Sequence, residues 1–156
     1  MAAVHRVKAE DCYCLAVRQA ARHVTQIYDE CIAPVGLRST QFSILSKLSR
    51  KGPMTINALA ADMVMDRTTL GRNILPLERE GLITITPGAS DRRSKELRLT
   101  KAGESCFQAA TEGWVKAQAR FEKSFGRERA SELRALLHAV VAHQPAPADR
   151  SLSSRR

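Results

Sequence analysis

Residues 55–100 read TINALAADMVMDRTTLGRNILPLEREGLITITPGASDRRSKELRLT, and this stretch decides the fold of the chain. Thr55 is a good N-cap residue, so it predicts the start of a short helix that ends in a turn at residues 62–65. Asp66 is the N-cap expected for a second helix, and Gly81 is the residue expected to end it. Two helices joined by a short turn are therefore predicted, although this turn contains no glycine.

Two β-prone segments follow the second helix and are expected to pair as a hairpin. Residues 82–86 and 96–100 both alternate apolar and polar side chains, as half-buried strands do. A Pro-Gly turn at residues 87–88 begins the connection between them. Two helices and a hairpin in this order are typical of a winged helix-turn-helix. That unit inserts its second helix into a DNA groove and lays the hairpin, called the wing, beside it.

The second predicted helix combines an apolar back with polar side chains near its start. The side chains expected to face inward are Leu70, Ile74, Leu75 and Leu77. The side chains expected on the outer face, which are the candidates for DNA contact, are Arg67, Thr68, Thr69, Arg72 and Asn73. In the major groove arginine pairs with guanine, asparagine pairs with adenine, and threonine meets thymine through its hydroxyl or methyl group. Pro76 is expected to kink the helix, because it removes one backbone hydrogen bond.

The loop between the two predicted strands, residues 88–95, is rich in turn formers and cations. Its charged residues are Asp91, Arg92, Arg93 and Lys95. A basic hairpin tip can contact phosphate or place an arginine in a narrow minor groove. The alternative interpretation is a solvated loop.

Composition favours a globular protein with a polyanionic partner. The chain has 156 residues, of which 44% are hydrophobic and 26% charged, and its formal net charge is +9. Such a charge favours nucleic acid over a membrane surface, because membrane-bound helices use interfacial aromatics and aromatics are only 4% here. No apolar run approaches the ~20 residues that span a bilayer, and the N-terminus lacks a signal-peptide core. A cytoplasmic protein with reduced cysteines is predicted.

Helices are predicted on both sides of the winged unit. Residues 10–32 place apolar side chains at spacings of mostly three and four, which predicts a long helix. This stripe consists of Cys14, Val17, Ala21, Val24, Ile27, Tyr28 and Cys31. Ser39 or Thr40 is expected to cap the next helix. Cations near the end of that helix suit its dipole or a phosphate, and they are Lys47, Arg50 and Lys51.

Two further helices are predicted after the wing, over residues 101–125 and 128–142, with Thr100 as the cap of the first. The flanking helices suit dimerisation, one wall of a pocket, or simple packing. The fold class predicted is mainly α with a small β-hairpin wing. The predicted organisation is a basic lead-in at 1–9, one domain at 10–143 with a winged lobe at 37–100 and dimerisation helices at 10–34 and 101–143, and a disordered tail at 144–156.

The segments TTLGRNILPLEREGLI and DRRSKELRLTKAGE resemble the MarR family of transcriptional regulators, over about residues 10–142. The family's wing motif, Asp-x-Arg, falls on Asp91 and Arg93. The resemblance implies that Arg93 enters the minor groove with Asp91 helping to hold it, while the second motif helix enters the major groove. It also implies a homodimer that binds a pseudo-palindromic operator in double-stranded DNA. Repression is the expected outcome, relieved by a small ligand or by cysteine oxidation.

Two kinds of control site are expected from the resemblance. The first is a pocket for a small effector, an aromatic carboxylate or an acyl thioester, lined by Arg18, His23, Tyr28 and Phe42. The second, alternative site is a redox sensor at Cys12 or Cys14, of which Cys12 lies nearer the helix start, where the helix dipole stabilises a thiolate. The competing interpretation is that these cysteines are small buried apolar residues.

Metal binding and catalysis have little support in the sequence. Cys14 and Cys31 lie about 25 Å apart along a continuous helix, so neither a disulfide within one chain nor a zinc site with His23 is expected. The chain has no Gly-rich phosphate loop, no HExxH and no GxSxG motif. We therefore expect neither an enzyme nor a bound cofactor.

Overall fold

A computed structural model of the chain describes residues 8–143. Most of the lead-in predicted for residues 1–9 and the tail predicted for residues 144–156 lie outside the described residues. The chain divides into two compact units, Met1–Arg120 and Phe121–Arg156. Within residues 8–143, no helix is long and apolar enough to cross a membrane.

The described residues form six α-helices and a small antiparallel sheet, which confirms the predicted fold class. The helices are α1 Tyr13–Ile32, α2 Ser39–Lys51, α3 Ile56–Asp62, α4 Arg67–Arg79, α5 Lys101–Phe125 and α6 Arg127–Ala142. The strands are β1 Met54–Thr55, β2 Ile83–Pro87 and β3 Lys95–Leu99. Short 3-10 helices at Ala9–Asp11 and Ala33–Val35 flank α1, so the long helix begins at Tyr13 rather than near residue 10.

The sheet has a third strand that the sequence analysis missed. The strand order is β1-β3-β2, so β3 is the central strand. Leu97 of β3 lies opposite Met54 of β1 on one side and opposite Ile85 of β2 on the other. Two residues are too few to show a period of two, so β1 left no alternating signal. The hairpin strands lie one residue away from the predicted bounds, and Thr100, the last residue of the second predicted strand, follows β3 and caps α5.

Three predicted helix caps are present. The Thr55 Oγ1 accepts a hydrogen bond from the Ala58 N–H at 3.1 Å. The Asp66 Oδ1 accepts one from the Thr69 N–H at 2.8 Å. The hydroxyl of Thr100 caps α5 in the same way, because it accepts from the amide of the third residue of that helix.

The cap predicted for α2 is wrong. Ser39 and Thr40 are the first residues of the helix, and Arg38 is the N-cap residue. The Ser39 N–H donates to the Asp29 Oδ1 at 2.7 Å, and the Arg38 N–H donates to the Gln41 Oε1 at 3.0 Å. A carboxylate from α1 therefore replaces the local cap, which is a tertiary contact that sequence spacing does not reveal.

The core is built mostly from α2, α4 and the sheet, and only the end of α1 enters it. Its largest fully buried side chains are Ile32, Ile44, Leu45, Leu48, Leu59, Leu70, Leu77, Ile83 and Leu97. In the apolar stripe predicted on α1, Ile27 is buried, whereas Cys14, Val17 and Ala21 are exposed. The periodicity identified a helix correctly, but the first turns of its apolar face have no cover within residues 8–143.

Helix α5 approaches its neighbours most closely at two glycines. A Cβ atom added at Gly103 would lie 2.0 Å from the carbonyl oxygen of Leu82. One added at Gly113 would lie 2.4 Å from the carbonyl oxygen of Cys31. Both distances are far below van der Waals contact, so only glycine permits the observed backbone separation.

Asp62 joins α3 to the end of α2. Its carboxylate lies 2.7 Å from the Lys47 Nζ and 2.6 Å from the Lys51 Nζ. Two of the three cations assigned to the dipole of α2 or to phosphate therefore have a partner within the protein. The hydrogen bonds donated by Lys47, and next those donated by Lys51, lower the pKa of Asp62 below its ordinary value of 3.8.

We expect Asp62→Asn to destabilise the protein at neutral pH and to matter less in acid. The pKa of Asp62 is depressed only in the folded state. The contribution of its carboxylate to the free energy of unfolding is therefore complete when the pH is above the ordinary pKa of 3.8, and it is lost as the pH falls through the lower pKa of the folded state. Each partly exposed ion pair contributes about 0.2–1 kcal/mol. Urea unfolding from pH 7 to pH 2.5 measures this difference. Glu112→Gln, an exposed charge loss on α5, is the control, and an Asp62→Asn effect that is unchanged in acid would contradict the assignment.

The second unit holds the end of α5 and all of α6. Gly126 has φ 95° and separates the two helices. Phe121 stacks on Phe125 at 5.4 Å between ring centroids, and the Arg129 guanidinium lies 4.4 Å from the centroid of Phe125. The exposed apolar side chains of α6 are Leu136, Leu137, Val140 and Val141.

Candidate DNA-binding surface

Helix α4 exposes its polar side chains at the start of the helix and buries its apolar ones. Leu70, Ile74 and Leu77 are buried, with spacings of four and three. The DNA-contact candidates Arg67, Thr68, Thr69 and Arg72 are exposed, and Asn73 is half-buried. The helix continues through Pro76 to Arg79.

Leu75 was predicted to face inward, and this prediction is wrong. Its side chain is 55% exposed. A helix turns by about 100° per residue, so Leu75 points well away from the face shared by Ile74 and Leu77. It lies instead in a groove between α4 and the wing, together with Ile85 and Pro87.

A hydrogen-bond network fixes the first turns of α4. The Asp66 carboxylate accepts from the Thr69 hydroxyl at 2.6 Å as well as from the Thr69 N–H. The Asn73 side-chain amide donates to the Thr69 carbonyl oxygen at 2.8 Å. The hydroxyl bond of Thr69, followed by its amide bond, lowers the pKa of Asp66 below its ordinary value of 3.8. The Thr69 methyl group and the Asn73 Oδ1 therefore remain the atoms best placed for a base.

The wing tip is held by Asp91. The Arg93 N–H donates to the Asp91 Oδ1 at 2.9 Å, which is the turn that an aspartate forms with the backbone two residues on. The Ser94 hydroxyl and N–H donate to the Asp91 carbonyl oxygen at 2.6 and 3.0 Å. The Gly88 N–H closes the loop onto the Ser94 carbonyl oxygen at 2.8 Å. These bonds order the backbone beneath Arg93, while the side chains of Arg92 and Arg93 stay exposed.

The wing and the start of α4 share one groove of about 270 Å³. It is lined by Thr55, Ile56, Asn57, Arg67, Asp91, Arg93, Ser94 and Lys95. The structure thus brings Arg67 to the same place as three of the predicted wing residues. Asn57, from the exposed start of α3, is a neighbour that the sequence analysis missed, because a single asparagine in a short helix gave no signal.

The four residues predicted to line an effector pocket differ in their surroundings. Arg18 and His23 are exposed on α1. Phe42 is buried beside Phe107, with ring centroids 5.2 Å apart. Tyr28 is half-buried, its hydroxyl donates to the Gln118 Oε1 on α5, and of these four residues it alone lines a groove between α1, α2 and the α3–α4 turn.

The cysteines fall into two groups. Cys12 and Cys14 are exposed, so nothing within residues 8–143 buries them. Cys12 is the N-cap residue of α1, where its Sγ accepts a hydrogen bond from the Leu15 N–H at 3.4 Å. Cys31 and Cys106 are half-buried, and burial raises the pKa of the Cys106 thiol, with a smaller contribution from the Glu80 carboxylate. All four thiols are free.

Comparison with known proteins gives consistent matches. A sequence model of the MarR family matches residues 37–95. The HTH-type transcriptional regulator YwoH of Bacillus subtilis (strain 168), itself uncharacterised, is 33% identical over 92 residues. These residues are 59% of this chain and 66% of YwoH, just under two thirds of its length. The transcriptional regulator MosR of M. tuberculosis, solved in complex with DNA, is 36% identical with a TM-score of 0.70. That match covers 86% of this chain and 100% of the MosR chain.

A second DNA-bound structure is also similar. The transcriptional repressor CouR, bound to a 23-mer DNA duplex, is 27% identical with a TM-score of 0.75. The match covers 86% of this chain and 94% of the CouR chain. The residues matched by the family model, 37–95, include α4 and most of the wing.

Proposed function

Because the chain belongs to the MarR family of DNA-binding transcriptional regulators, we propose that it is a repressor that binds a two-fold symmetric operator as a homodimer. A small effector releases it from the DNA. The observation that carries this proposal is the groove in which Arg67 at the start of α4 meets Arg93 and Lys95 of the wing. The DNA-bound CouR, named a repressor, supports the direction of control.

Each part of this surface has a separate task in the proposed complex. Helix α4 enters the major groove, where Arg67 and Arg72 pair with guanine and Thr68 and Thr69 meet thymine methyl groups. The Asn73 Oδ1 lies at the edge of this face of α4, where it can accept a hydrogen bond from a base. The wing follows the phosphate backbone, and its ordered tip presents the Arg93 side chain to the narrow minor groove. Arg92 and Lys95 add phosphate contacts, and the net charge of +9 adds attraction at longer range.

Exposed apolar side chains support the dimer. On α1, Tyr13 is 90% exposed and Val17 is 47% exposed. On α6, Leu136 and Val140 are 65% and 63% exposed. Repeated large apolar side chains on one helix mark an interaction surface, and a second copy of the chain is the proposed cover. A dimer also places two recognition helices about 34 Å apart, on successive turns of DNA.

The proposed effector site is the groove between α1, α2 and the α3–α4 turn, which has a volume of about 340 Å³. A ligand there would contact both the helix that carries the exposed apolar face and the turn that positions α4. The aromatic carboxylate or acyl thioester expected from the sequence relied on Arg18 as its charge partner. Arg18 lies exposed and does not line this groove.

The DNA-binding proposal is tested by selection of bound duplexes from a random-sequence library. We expect enrichment of two inverted half-sites with centres about 10 base pairs apart, and an affinity that falls steeply as salt rises. Sedimentation measures the dimer. A promoter that carries the enriched sequence should be repressed in a reporter assay, with a scrambled sequence as control. Absence of any enriched sequence would sink the proposal.

A second candidate function is redox control at Cys12 or Cys14. The observation that favours it is the exposure of both thiols at the start of α1, beside the apolar face proposed for dimerisation. Peroxide should weaken DNA binding by the wild-type protein and leave binding by the matching Cys→Ser variant unchanged, and a reductant should restore it. Intact mass identifies the oxidised product. This function would be excluded if DNA binding by Cys12→Ser, Cys14→Ser and the double variant remained as sensitive to peroxide as DNA binding by the wild-type protein.

A further inference from the structure

Gly71 lies in the interior of α4, and nothing within residues 8–143 requires a glycine there. In such a position glycine is less stable than alanine by about 1 kcal/mol. Its φ is not among the positive values that favour glycine in this chain. A Cβ added at Gly71 would meet open space, whereas one added at Gly103 or Gly113 would collide with a neighbouring backbone. Neither backbone conformation nor close packing therefore accounts for this residue.

Gly71 lies on the side of α4 that faces the wing. Residues four apart on a helix are neighbours on its surface, so Arg67, Gly71 and Leu75 form one row. Arg67 lines the groove of about 270 Å³ between the wing and the starts of α3 and α4, here called the Arg67 groove. Leu75 lines a second groove between α4 and the wing, of about 340 Å³, here called the Leu75 groove. The row of side chains is therefore interrupted between the two grooves.

Both grooves attract phosphate, because cations outnumber carboxylates in each. The charged residues of the Arg67 groove are Arg67, Asp91, Arg93 and Lys95. Those of the Leu75 groove are Glu78, Arg92, Arg93 and Lys95. The wing residues Arg93 and Lys95 line both grooves, so the wing presents positive charge on either side of the position of Gly71. A polyanionic strand can therefore occupy the two grooves in succession.

The next step rests on the proposed function. With α4 in the major groove of DNA and the wing in the minor groove, one sugar-phosphate strand must pass between these two elements. A strand that occupies both grooves crosses α4 at Gly71. Glycine permits a closer approach to the backbone than any other residue, because it has no Cβ.

We propose that Gly71 contacts this strand directly and sets the depth at which α4 enters the major groove. A side chain at this position would occupy the space that the deoxyribose needs, and it would lift α4 away from the base edges. Thr68 and Arg72 would then lose their reach to the bases. Hydrogen bonds to bases weaken steeply with distance, whereas attraction to phosphate acts over a longer range. Gly71 therefore determines specificity as well as affinity, and its weak helix propensity is a loss of stability that DNA binding explains.

The test compares Gly71→Ala and Gly71→Leu with the wild-type protein. Both variants should raise Tm, because alanine and leucine are better helix formers than glycine and the space is open. Affinity for the selected duplex should nevertheless fall, by about tenfold for Gly71→Ala and at least about a hundredfold for Gly71→Leu. Affinity for a scrambled duplex should fall less, so the ratio of the two affinities decreases. Ala109→Leu adds an apolar side chain on the exposed surface of α5 and should leave this ratio unchanged.

A second measurement places the contact on the DNA. Selected duplexes are prepared with one phosphate at a time replaced by an uncharged methylphosphonate. At the phosphates that flank the crossing, this replacement should weaken binding by the wild-type protein at least about fivefold and binding by Gly71→Leu less than about twofold, because contacts that are already lost cannot be lost again. The coupled phosphates should be adjacent on one strand of each half-site.

The outcomes separate this inference from the proposed function. Variants of Gly71 that are more stable than the wild-type protein and bind the selected duplex with wild-type affinity would overturn the inference and leave the proposed function intact. Methylphosphonates that weaken the wild-type protein and Gly71→Leu equally at every position would also overturn it. A protein that enriches no DNA sequence would refute the proposed function and this inference together.

Discussion

Gly103→Ala is expected to lower the free energy of unfolding by about 1–3 kcal/mol. The added methyl carbon would lie 2.0 Å from the Leu82 carbonyl oxygen and 2.7 Å from the Leu99 Cδ1. The Leu99 side chain can rotate, but the Leu82 carbonyl cannot, because it accepts hydrogen bonds from the N–H and the hydroxyl of Thr100, both at 3.1 Å. Either α5 or the junction with the wing must shift. Urea unfolding followed by circular dichroism measures the loss.

Gly71→Ala is the matched control, because it makes the same chemical change inside another helix. An added Cβ at Gly71 has no atom within 4 Å apart from its chain neighbours and the backbone of its own helix. Alanine is a better helix former than glycine by about 1 kcal/mol, so Gly71→Ala should raise stability. The two substitutions should therefore have opposite signs. Destabilisation of similar size in both would mean that the close approach at Gly103 does not limit this fold.

Arg72→Ala and Arg93→Ala are expected to weaken DNA binding in different ways. Loss of a base contact by Arg72 should cost about 1–3 kcal/mol per half-site and relax the sequence preference at one position. In a dimer both half-sites are affected, so the selected DNA should lose about 2–6 kcal/mol of binding free energy. Loss of Arg93 should weaken binding to all sequences and reduce the dependence of affinity on salt.

Fluorescence anisotropy on selected and scrambled duplexes, over a range of salt, separates these two effects. Arg18→Ala removes an exposed arginine on α1 that does not line the groove between α4 and the wing. It is therefore the control for the loss of one positive charge. Circular dichroism should show an unchanged fold for all three variants, because each of these arginines is exposed. If both variants keep full affinity and the same sequence preference, α4 and the wing do not contact DNA as proposed.

The sequence predicted features that depend on residue type and short-range spacing. Thr55, Asp66 and Thr100 cap the helices that they were expected to cap, because a side-chain oxygen needs only the amide three residues ahead. The winged unit was also recognisable from the sequence, because its order of elements follows from residue type and short-range spacing. The cap of α2 was not, because Asp29 reaches it from another helix.

Predictions about which way a side chain faces were less successful. The apolar residues of α4 were all assigned to the interior, although Leu75 lies off the face that Ile74 and Leu77 share. Apolar periodicity likewise identified α1 but could not tell whether the protein itself or a second copy covers its first turns. The groove between α1, α2 and the α3–α4 turn was beyond sequence reasoning, because three separate segments contribute to it. Arg18 and His23 were selected by chemical type, which does not fix their position.

The glycines of α5 have a mechanical consequence. Gly103 and Gly113 are ten residues apart, or about 15 Å along the helix, and both meet a carbonyl of the facing backbone. Backbone held against backbone leaves no side chain to absorb a displacement. Between these two points α5 is a strut of fixed length, with the end of α1 at one point and the base of the wing at the other. We therefore expect a small tilt of α5 at Cys31 to displace the backbone at Leu82 and, with it, the base of the wing.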